Sequence, residues 1–264
     1  MIDFNSKKGF ICDMDGVLYH GNMLLPGALE FVQWLKDTDK EYLFLTNNSA
    51  KSPRELQQKL ERLGIDVPEE HFYTSALATA KFLSAQAPGC SAYVIGDAGL
   101  YNALYDAGIT MNEVNPDYVV LGEGSTYTYD TMTKAINLVR GGAKLIGANS
   151  DISGPVEDAI VPGCQALAAP IEIVTGKRAY YCGKPNPLMM RTGLNILGCH
   201  SNEAVMIGDR MDTDVISGLE SGMSTVLVLS GSTSEEDVKE YGYRPTVILD
   251  GVGDIPRIAE SAGE

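Results

Sequence analysis

Short, continuous apolar runs alternate with amphipathic stretches along most of the chain. Gly9-Phe10-Ile11-Cys12, Tyr42-Leu43-Phe44-Leu45, Ala204-Val205-Met206-Ile207 and residues 225–229 read as short buried strands, with a last strand at 246–249. Between them, apolar residues fall at helical spacing. Ala28, Val32 and Leu35 follow Pro26-Gly27, and Leu56, Leu60 and Leu63 form one stripe that Gly64 ends. Ser52-Pro53-Arg54-Glu55 opens that stripe as a capping box, with proline at the first helical position, where no N–H is needed. Further helices are expected from about Thr213 and about Ser234. Strand and helix alternate throughout, which predicts an α/β fold with a mainly parallel sheet.

The middle of the chain repeats this logic on its own. It predicts strands at 93–95, 118–121 and 144–146 and helices at about 98–106, 129–140 and 165–174, enough for a small α/β domain. The expected organisation is therefore a first part of a core domain at 1–77, an inserted α/β domain at 78–178, and the second part of the core at 179–264. Asp97, in Val94-Ile95-Gly96-Asp97, is read as the cap of the helix that follows it.

The strand ends carry the chemistry. Gly9–Cys12 runs into Asp13-Met14-Asp15-Gly16-Val17, two carboxylates two residues apart in a glycine-opened turn. Such a pair repels unless a cation or a shared proton lies between its members. The second strand runs into Thr46-Asn47-Asn48, whose hydroxyl and backbone N–H groups suit phosphate oxygens. Ala179-Tyr180-Tyr181-Cys182 is expected to be a third strand, closing on Gly183-Lys184-Pro185-Asn186, with Pro185 holding Lys184 off the helical region. The fourth end is Gly208-Asp209, with Asp212 and Asp214 beyond it. Asp and Gly are ordinary turn formers, so any one of these ends alone would say little. In open parallel sheets, however, ligands bind outside the carboxyl ends of the strands, and these four ends together make a metal-plus-phosphate set.

In this order, Asp-x-Asp-Gly-Val, a strand ending in Thr-Asn, Gly-Lys-Pro and Gly-Asp-x-x-x-x-Asp resemble the four motifs of the haloacid dehalogenase (HAD) superfamily. The stretches CDMDGVLYHGN, FLTNNS, CGKPNPLM and MIGDRMDTD are most similar to its NagD-type nucleotide and sugar-phosphate phosphatases. The resemblance implies a doubly wound, mainly parallel core with an inserted α/β cap of type C2. It implies Mg2+ held by Asp13, Asp209 and the backbone carbonyl of Asp15. It makes Asp13 the nucleophile that forms an aspartyl-phosphate, and Asp15 the general acid and then base. Thr46, Asn47 and Lys184 become phosphate-binding residues, and Asp214 orients the metal site from behind. Asn149, Ser150 and Asp151 match a family loop facing the active site, so substrate contact is expected of Asn149 and Asp151. The implied substrates are small phosphorylated metabolites: 5′-nucleotides such as UMP, sugar phosphates, or p-nitrophenyl phosphate in vitro.

Composition narrows the partners. The 264-residue chain carries 20 basic and 35 acidic residues, a formal net charge of −15. That argues against a nucleic-acid polymer or an anionic membrane as partner, yet admits an anionic substrate where a dication and Lys184 reverse the local field. The five cysteines form no Cys-x-x-Cys pair; Cys12 and Cys182 read as small hydrophobes within apolar strand runs, and a reducing cytoplasm rather than a disulfide framework is expected. No apolar stretch approaches the roughly 18 residues a membrane span needs, and the N-terminus lacks a signal-peptide pattern. His20, His71 and His200 show no partner spacing for a catalytic triad or zinc. Met189, Met190 and Met206 read as core, Asp212 as an exposed helix N-terminal acid, and Asn48 and Ser49 as turn-shaping residues.

Several rivals are weighed. Neither Gly-Lys pair continues as a Walker A motif. A dehalogenase would not need an acid at Asp15, and a receiver-like signalling domain would be about half this length. A phosphotransferase or mutase, and a non-catalytic phosphometabolite sensor, remain as alternatives. A homodimer contact on the inserted domain is left open.

Overall fold

The computed structural model describes residues 2–156 and 159–262. The chain forms two compact units, one of Met1–Thr46, Leu56–Tyr73 and Met190–Glu264, the other of Asn47–Glu55 and Thr74–Met189.

In the first unit, six strands among the described residues form one sheet. Across it they run Val247–Leu249, Ser224–Val228, Ala204–Gly208, Gly9–Cys12, Glu41–Thr46 and Phe72–Thr74. The first five pair in parallel, with Cys12 in register with Ile207 on one side and Phe44 on the other. The chain steps outward from Gly9–Cys12 in one direction, then returns and steps outward in the other. This is a doubly wound sheet, and its switch point lies between Gly9–Cys12 and Ala204–Gly208. Period-two geometry sorts the strand side chains onto two faces. Phe10, Cys12, Phe44, Val205 and Ile207 pack with Phe31 and Leu35 of helix Ala28–Asp37 and with Ile255 of helix Asp254–Ser261. Ile11 and Leu45 point the other way, toward Gly193 of helix Pro187–Leu197, where a Cβ would lie 3.0 Å from Ile11 Cδ1. Each large apolar side chain buried here stabilises the fold by roughly 1.5–3 kcal/mol.

The second unit is built the same way. Among the described residues its main sheet has five strands, Tyr180–Tyr181, Lys144–Gly147, Tyr118–Leu121, Ser91–Ile95 and Thr110–Met111, all in parallel pairs. Val94, Val120 and Ile146 face helices Ser75–Gln86 and Ala98–Asp106 through Leu83, Leu100 and Leu104. Tyr93, Ile95, Val119 and Leu121 face helices Tyr129–Arg140 and Cys164–Thr175 through Ala135, Val139, Ala168 and Ile171. Both units are therefore layered α/β structures with helices on each face of a mainly parallel sheet.

The structure differs from the sequence expectations in several places. The run 179–182 yields only Tyr180–Tyr181, and that strand extends the second sheet beside Lys144–Gly147 rather than the first. The strands Phe72–Thr74 and Thr110–Met111, and the antiparallel hairpin of Ser153–Val156 with Ala159–Pro162, are too short to leave a periodic signal. The expected helix near Thr213 opens as a π-helical turn, Met211–Val215, before Ile216–Glu220. Asp97 does hold the N-cap position of its helix, but its carboxylate accepts from Ser125 N at 3.3 Å instead of capping. The Ser52 capping box forms as expected, with Ser52 N donating to Glu55 Oε2 at 2.8 Å and Glu55 N to Ser52 Oγ at 3.3 Å. All five cysteines are free thiols, and burial pushes the thiols of Cys164 and Cys182 up to about 12, which leaves them inert. Among the described residues no helix is long and apolar enough to cross a membrane.

Candidate active site

Both strands flanking the switch point end in an aspartate. Asp13 follows Gly9–Cys12, and its N–H donates to Ile207 O at 2.9 Å, which ties it to the neighbouring strand end. Asp209 follows Ala204–Gly208, and Asp214 comes from the π-helical turn just beyond. The three carboxylates are buried, and one oxygen of each lies within 4.8 Å of the others. At an effective dielectric of about 20, like charges this close repel by roughly 3–4 kcal/mol per pair. A cation relieves that cost. The donor set is all anionic oxygen, which suits a hard divalent ion and not a thiolate- or imidazole-seeking one.

The surroundings hold these carboxylates in place. Ser232 N donates to Asp209 Oδ2 at 2.6 Å, and Arg210 N donates to Asp214 Oδ2 at 3.1 Å. Ser230 Oγ donates to Gly16 O at 2.8 Å, drawing the loop after strand Ser224–Val228 against the loop after Gly9–Cys12. Two glycines make this closeness possible. Gly16 has φ +77°, and a Cβ there would lie 2.6 Å from Asp209 Oδ2; at Gly231 the same contact would be 2.2 Å. Gly231→Ala should therefore displace the Asp209 carboxylate and cost about 1–3 kcal/mol of stability by overpacking. Chemical denaturation beside Gly242→Ala, a position open to solvent space within 4 Å, checks this; equal stability of the two variants would contradict it.

Asp15 sits on the same loop, where Gly16 N donates to Tyr19 O at 2.8 Å. Burial raises its carboxyl above the ordinary aspartate range, while the nearby charges of Lys59 and His20 pull it back down. His20 Nδ1 is 3.8 Å from Asp15 Oδ1, a proximity that its isolated position in the sequence did not signal. Lys59 Nζ sits 3.6 Å from the ring centroid of Tyr19, so helix Pro53–Arg62 delivers this cation.

Thr46 is the buried last residue of strand Glu41–Thr46. In the second unit, Asn47 and Lys184 are joined by two hydrogen bonds: Lys184 N donates to Asn47 Oδ1 at 2.7 Å, and Asn47 Nδ2 to Lys184 O at 3.1 Å. Lys184 is 1% exposed, so burial as well as these bonds fixes its position. The Asn47 carbonyl accepts from Ser75 Oγ at 2.5 Å and from Asn149 Nδ2 at 2.6 Å. Asn149 is fully buried, and its amide donates within this frame. Asp151, half-buried, donates its N–H to Asn149 Oδ1 at 3.1 Å. Gly183 permits this crowding, because a Cβ there would meet Asn47 Oδ1 at 2.6 Å. Sequence reasoning missed Glu123, whose carboxylate meets both Ser49 and Asn149. A lone acid between Gly122 and Gly124 reads as a turn, and nothing local marks it otherwise.

Fold and site together define the class: a doubly wound α/β protein whose switch point gathers a cluster of three buried carboxylates. Residues 10–110 match the family described as haloacid dehalogenase-like hydrolase, and residues 181–255 match a HAD-hydrolase-like family. The chain is 48% identical to the dihydroxyacetone phosphatase of Corynebacterium glutamicum (strain R), over 93% of this chain and 90% of that one. It is 42% identical to the ribonucleotide monophosphatase NagD of Escherichia coli (strain K12), over 94% of this chain and 98% of that one. A solved 4-nitrophenylphosphatase from Thermotoga maritima superposes with a TM-score of 0.94 at 34% identity, covering 98% of this chain and 100% of that one. The chain belongs to the haloacid dehalogenase superfamily, in its NagD-like phosphatase branch.

Proposed function

We propose that this protein is a Mg2+-dependent phosphomonoesterase that hydrolyses small phosphorylated metabolites through an aspartyl-phosphate. The observation that carries this reading is the buried triad of Asp13, Asp209 and Asp214 at the switch point, with Asp15 two residues after Asp13. Held by Asp13, Asp209 and the Asp15 carbonyl, Mg2+ would supply the positive charge that lets a phosphate dianion approach a carboxylate. Asp13 attacks phosphorus in line and becomes the acylphosphate. Asp15 gives its proton to the departing ester oxygen, then, as carboxylate, takes one from the water that cleaves the intermediate. Thr46 Oγ1 and the Asn47 N–H hold phosphoryl oxygens, and Lys184 compensates their charge. Asp214 orients the metal-binding carboxylates. The α/β unit that interrupts the core serves as the cap that selects substrate, with Asp151 on its selecting loop.

Relatives acting on dihydroxyacetone phosphate and on ribonucleotides support a small-metabolite ester as substrate, with UMP, sugar phosphates and p-nitrophenyl phosphate as first candidates. The five free thiols fit a reducing cytoplasm as the site of action. The test is phosphate release from a panel of phosphomonoesters with Mg2+ and with EDTA. Metal-dependent release is expected; a folded, Mg2+-binding protein that releases no phosphate from any ester would overturn the reading.

The pH profile tests Asp15. To protonate the leaving oxygen it must keep its proton, so kcat/KM falls as pH rises through its pKa. Lys59 partly offsets the rise that burial gives that pKa, so Lys59→Met removes the offset and shifts the alkaline limb to higher pH. Met retains the packing over Tyr19. A limb that stays put or moves to lower pH would remove Asp15 from the acid role.

A further inference from the structure

Glu123 is a half-buried acid for which the mechanism above has no use. Its Oε2 accepts from Ser49 N at 3.2 Å and also contacts Ser49 Oγ. Its Oε1 accepts from Asn149 Nδ2, the same amide that donates to Asn47 O at 2.6 Å. Its own N–H donates to Ser49 Oγ at 3.0 Å, and its carbonyl accepts from Asp97 N at 3.1 Å, which anchors the acid at both ends. Gly122 allows the approach, because a Cβ there would sit 2.6 Å from Ser49 Oγ. Burial raises the Glu123 carboxyl above the usual glutamate range, against the hydrogen bonds from Ser49 and Asn149. An acid held where burial penalises its charge, with one oxygen committed to Ser49 and the other to Asn149, needs a reason beyond packing.

We propose that Glu123 is a positioning residue for phosphate binding: through Ser49 and Asn149 it fixes the backbone of Asn47 and, through the Asn47 side chain, the backbone of Lys184. The chain of contacts is continuous. Glu123 holds Asn149, Asn149 holds the Asn47 carbonyl, and the Asn47 amide pairs with both the N–H and the carbonyl of Lys184. Ser49 pins the same loop two residues further on. With Asn47 and Lys184 set in one register, the Asn47 N–H and the lysine ammonium present a preformed cradle to phosphoryl oxygens. Substrate binding then requires no ordering of the loop, so the effect of Glu123 falls on binding rather than on the chemical step.

The inference rests on the phosphatase reading, and the experiment separates the two. The full-length protein and its Glu123→Ala, Glu123→Gln and Ser49→Ala variants are assayed with p-nitrophenyl phosphate, with orthophosphate as competitive inhibitor and Mg2+ titrated independently. Glu123→Ala should raise KM and the orthophosphate inhibition constant together, by about tenfold, the size expected for losing hydrogen bonds to a charged or buried acceptor. The Mg2+ activation constant and kcat should change much less. Glu123→Gln keeps an oxygen for Asn149 and a polar group for Ser49, so it should restore most of the affinity. Ser49→Ala, which retains the acid and removes one contact, should show a smaller rise of the same kind and keeps the test alive should Glu123→Ala fail to fold. Unchanged KM and phosphate inhibition in Glu123→Ala and Ser49→Ala would overturn the proposal. So would a Glu123→Gln variant as impaired as Glu123→Ala, or a parallel loss of Mg2+ activation, which marks general loosening. Absence of phosphate release from the unmutated protein would instead overturn the phosphatase reading itself.

Discussion

Asp13→Asn is expected to be a folded protein whose phosphate release has fallen by at least ~10^3-fold, because the carboxamide offers no anionic oxygen for attack on phosphorus. The substitution is nearly isosteric, and the backbone bond from the residue's N–H to Ile207 O at 2.9 Å does not depend on the side chain. It also removes one charge from a buried cluster of three carboxylates. Thermal stability in EDTA should therefore equal or exceed that of the parent protein, which separates loss of chemistry from loss of structure. Steady-state phosphate release, together with trapping of phosphoprotein after acid quench, makes the check. A variant that turns over at the parent rate would exclude the covalent route through Asp13. One that still accumulates acid-stable phosphoprotein would move the nucleophile elsewhere.

Asp209→Asn should produce the second large effect, and through the metal. Its amide oxygen still accepts from Ser232 N, now 2.6 Å from Asp209 Oδ2, so the loop after strand Ser224–Val228 keeps its hold. What changes is the charge of the donor set. Replacing an anionic oxygen by a neutral one should raise the Mg2+ concentration for half-activation on the order of 100-fold or more. A ligand that binds only the folded state adds about 2.7 kcal/mol of stability at 100 times its dissociation constant. The parent protein should thus melt at higher temperature in millimolar Mg2+ than in EDTA, and Asp209→Asn should lose that difference. A variant that keeps the parent's Mg2+-dependent rise in Tm would show that Asp209 does not hold the ion.

How much of this was legible depends on how local each signal is. Asp13 and Asp209 could be placed at strand ends because an apolar run that stops at Asp-Gly or Gly-Asp signals its own boundary. The capping box at Ser52 was legible for the same reason: its partners lie three residues apart. Tyr180–Tyr181 was misplaced because a strand of two residues carries no information about which sheet it joins; its pairing with Ile146 and Gly147 is a long-range choice. The amide of Asn149 reaches partners 26 and 102 residues away, contacts that its loop alone does not announce. Glu123 and Ser49, separated by 74 residues, each looked like an ordinary turn residue. Lys59 carried no signal of its own in the sequence, and only the fold brought its charge to bear on Asp15.

By itself, then, the amino-acid sequence determined the α/β class, the alternation of strand and helix in both parts of the chain, and the kinds of side chain standing at the strand ends. These follow from short-range periodicity and from the chemistry of each residue, which need no partner to be read. Only the tertiary structure decided the strand order and its switch point, the gathering of Asp13, Asp209 and Asp214 within 4.8 Å, and the glycine contacts at Gly16 and Gly231 that hold Asp209. It alone joined Glu123 to Asn47 through Asn149. Such features depend on which distant segments pair and how closely their backbones approach, and that is settled by the packing of the whole sheet rather than by any window of the chain.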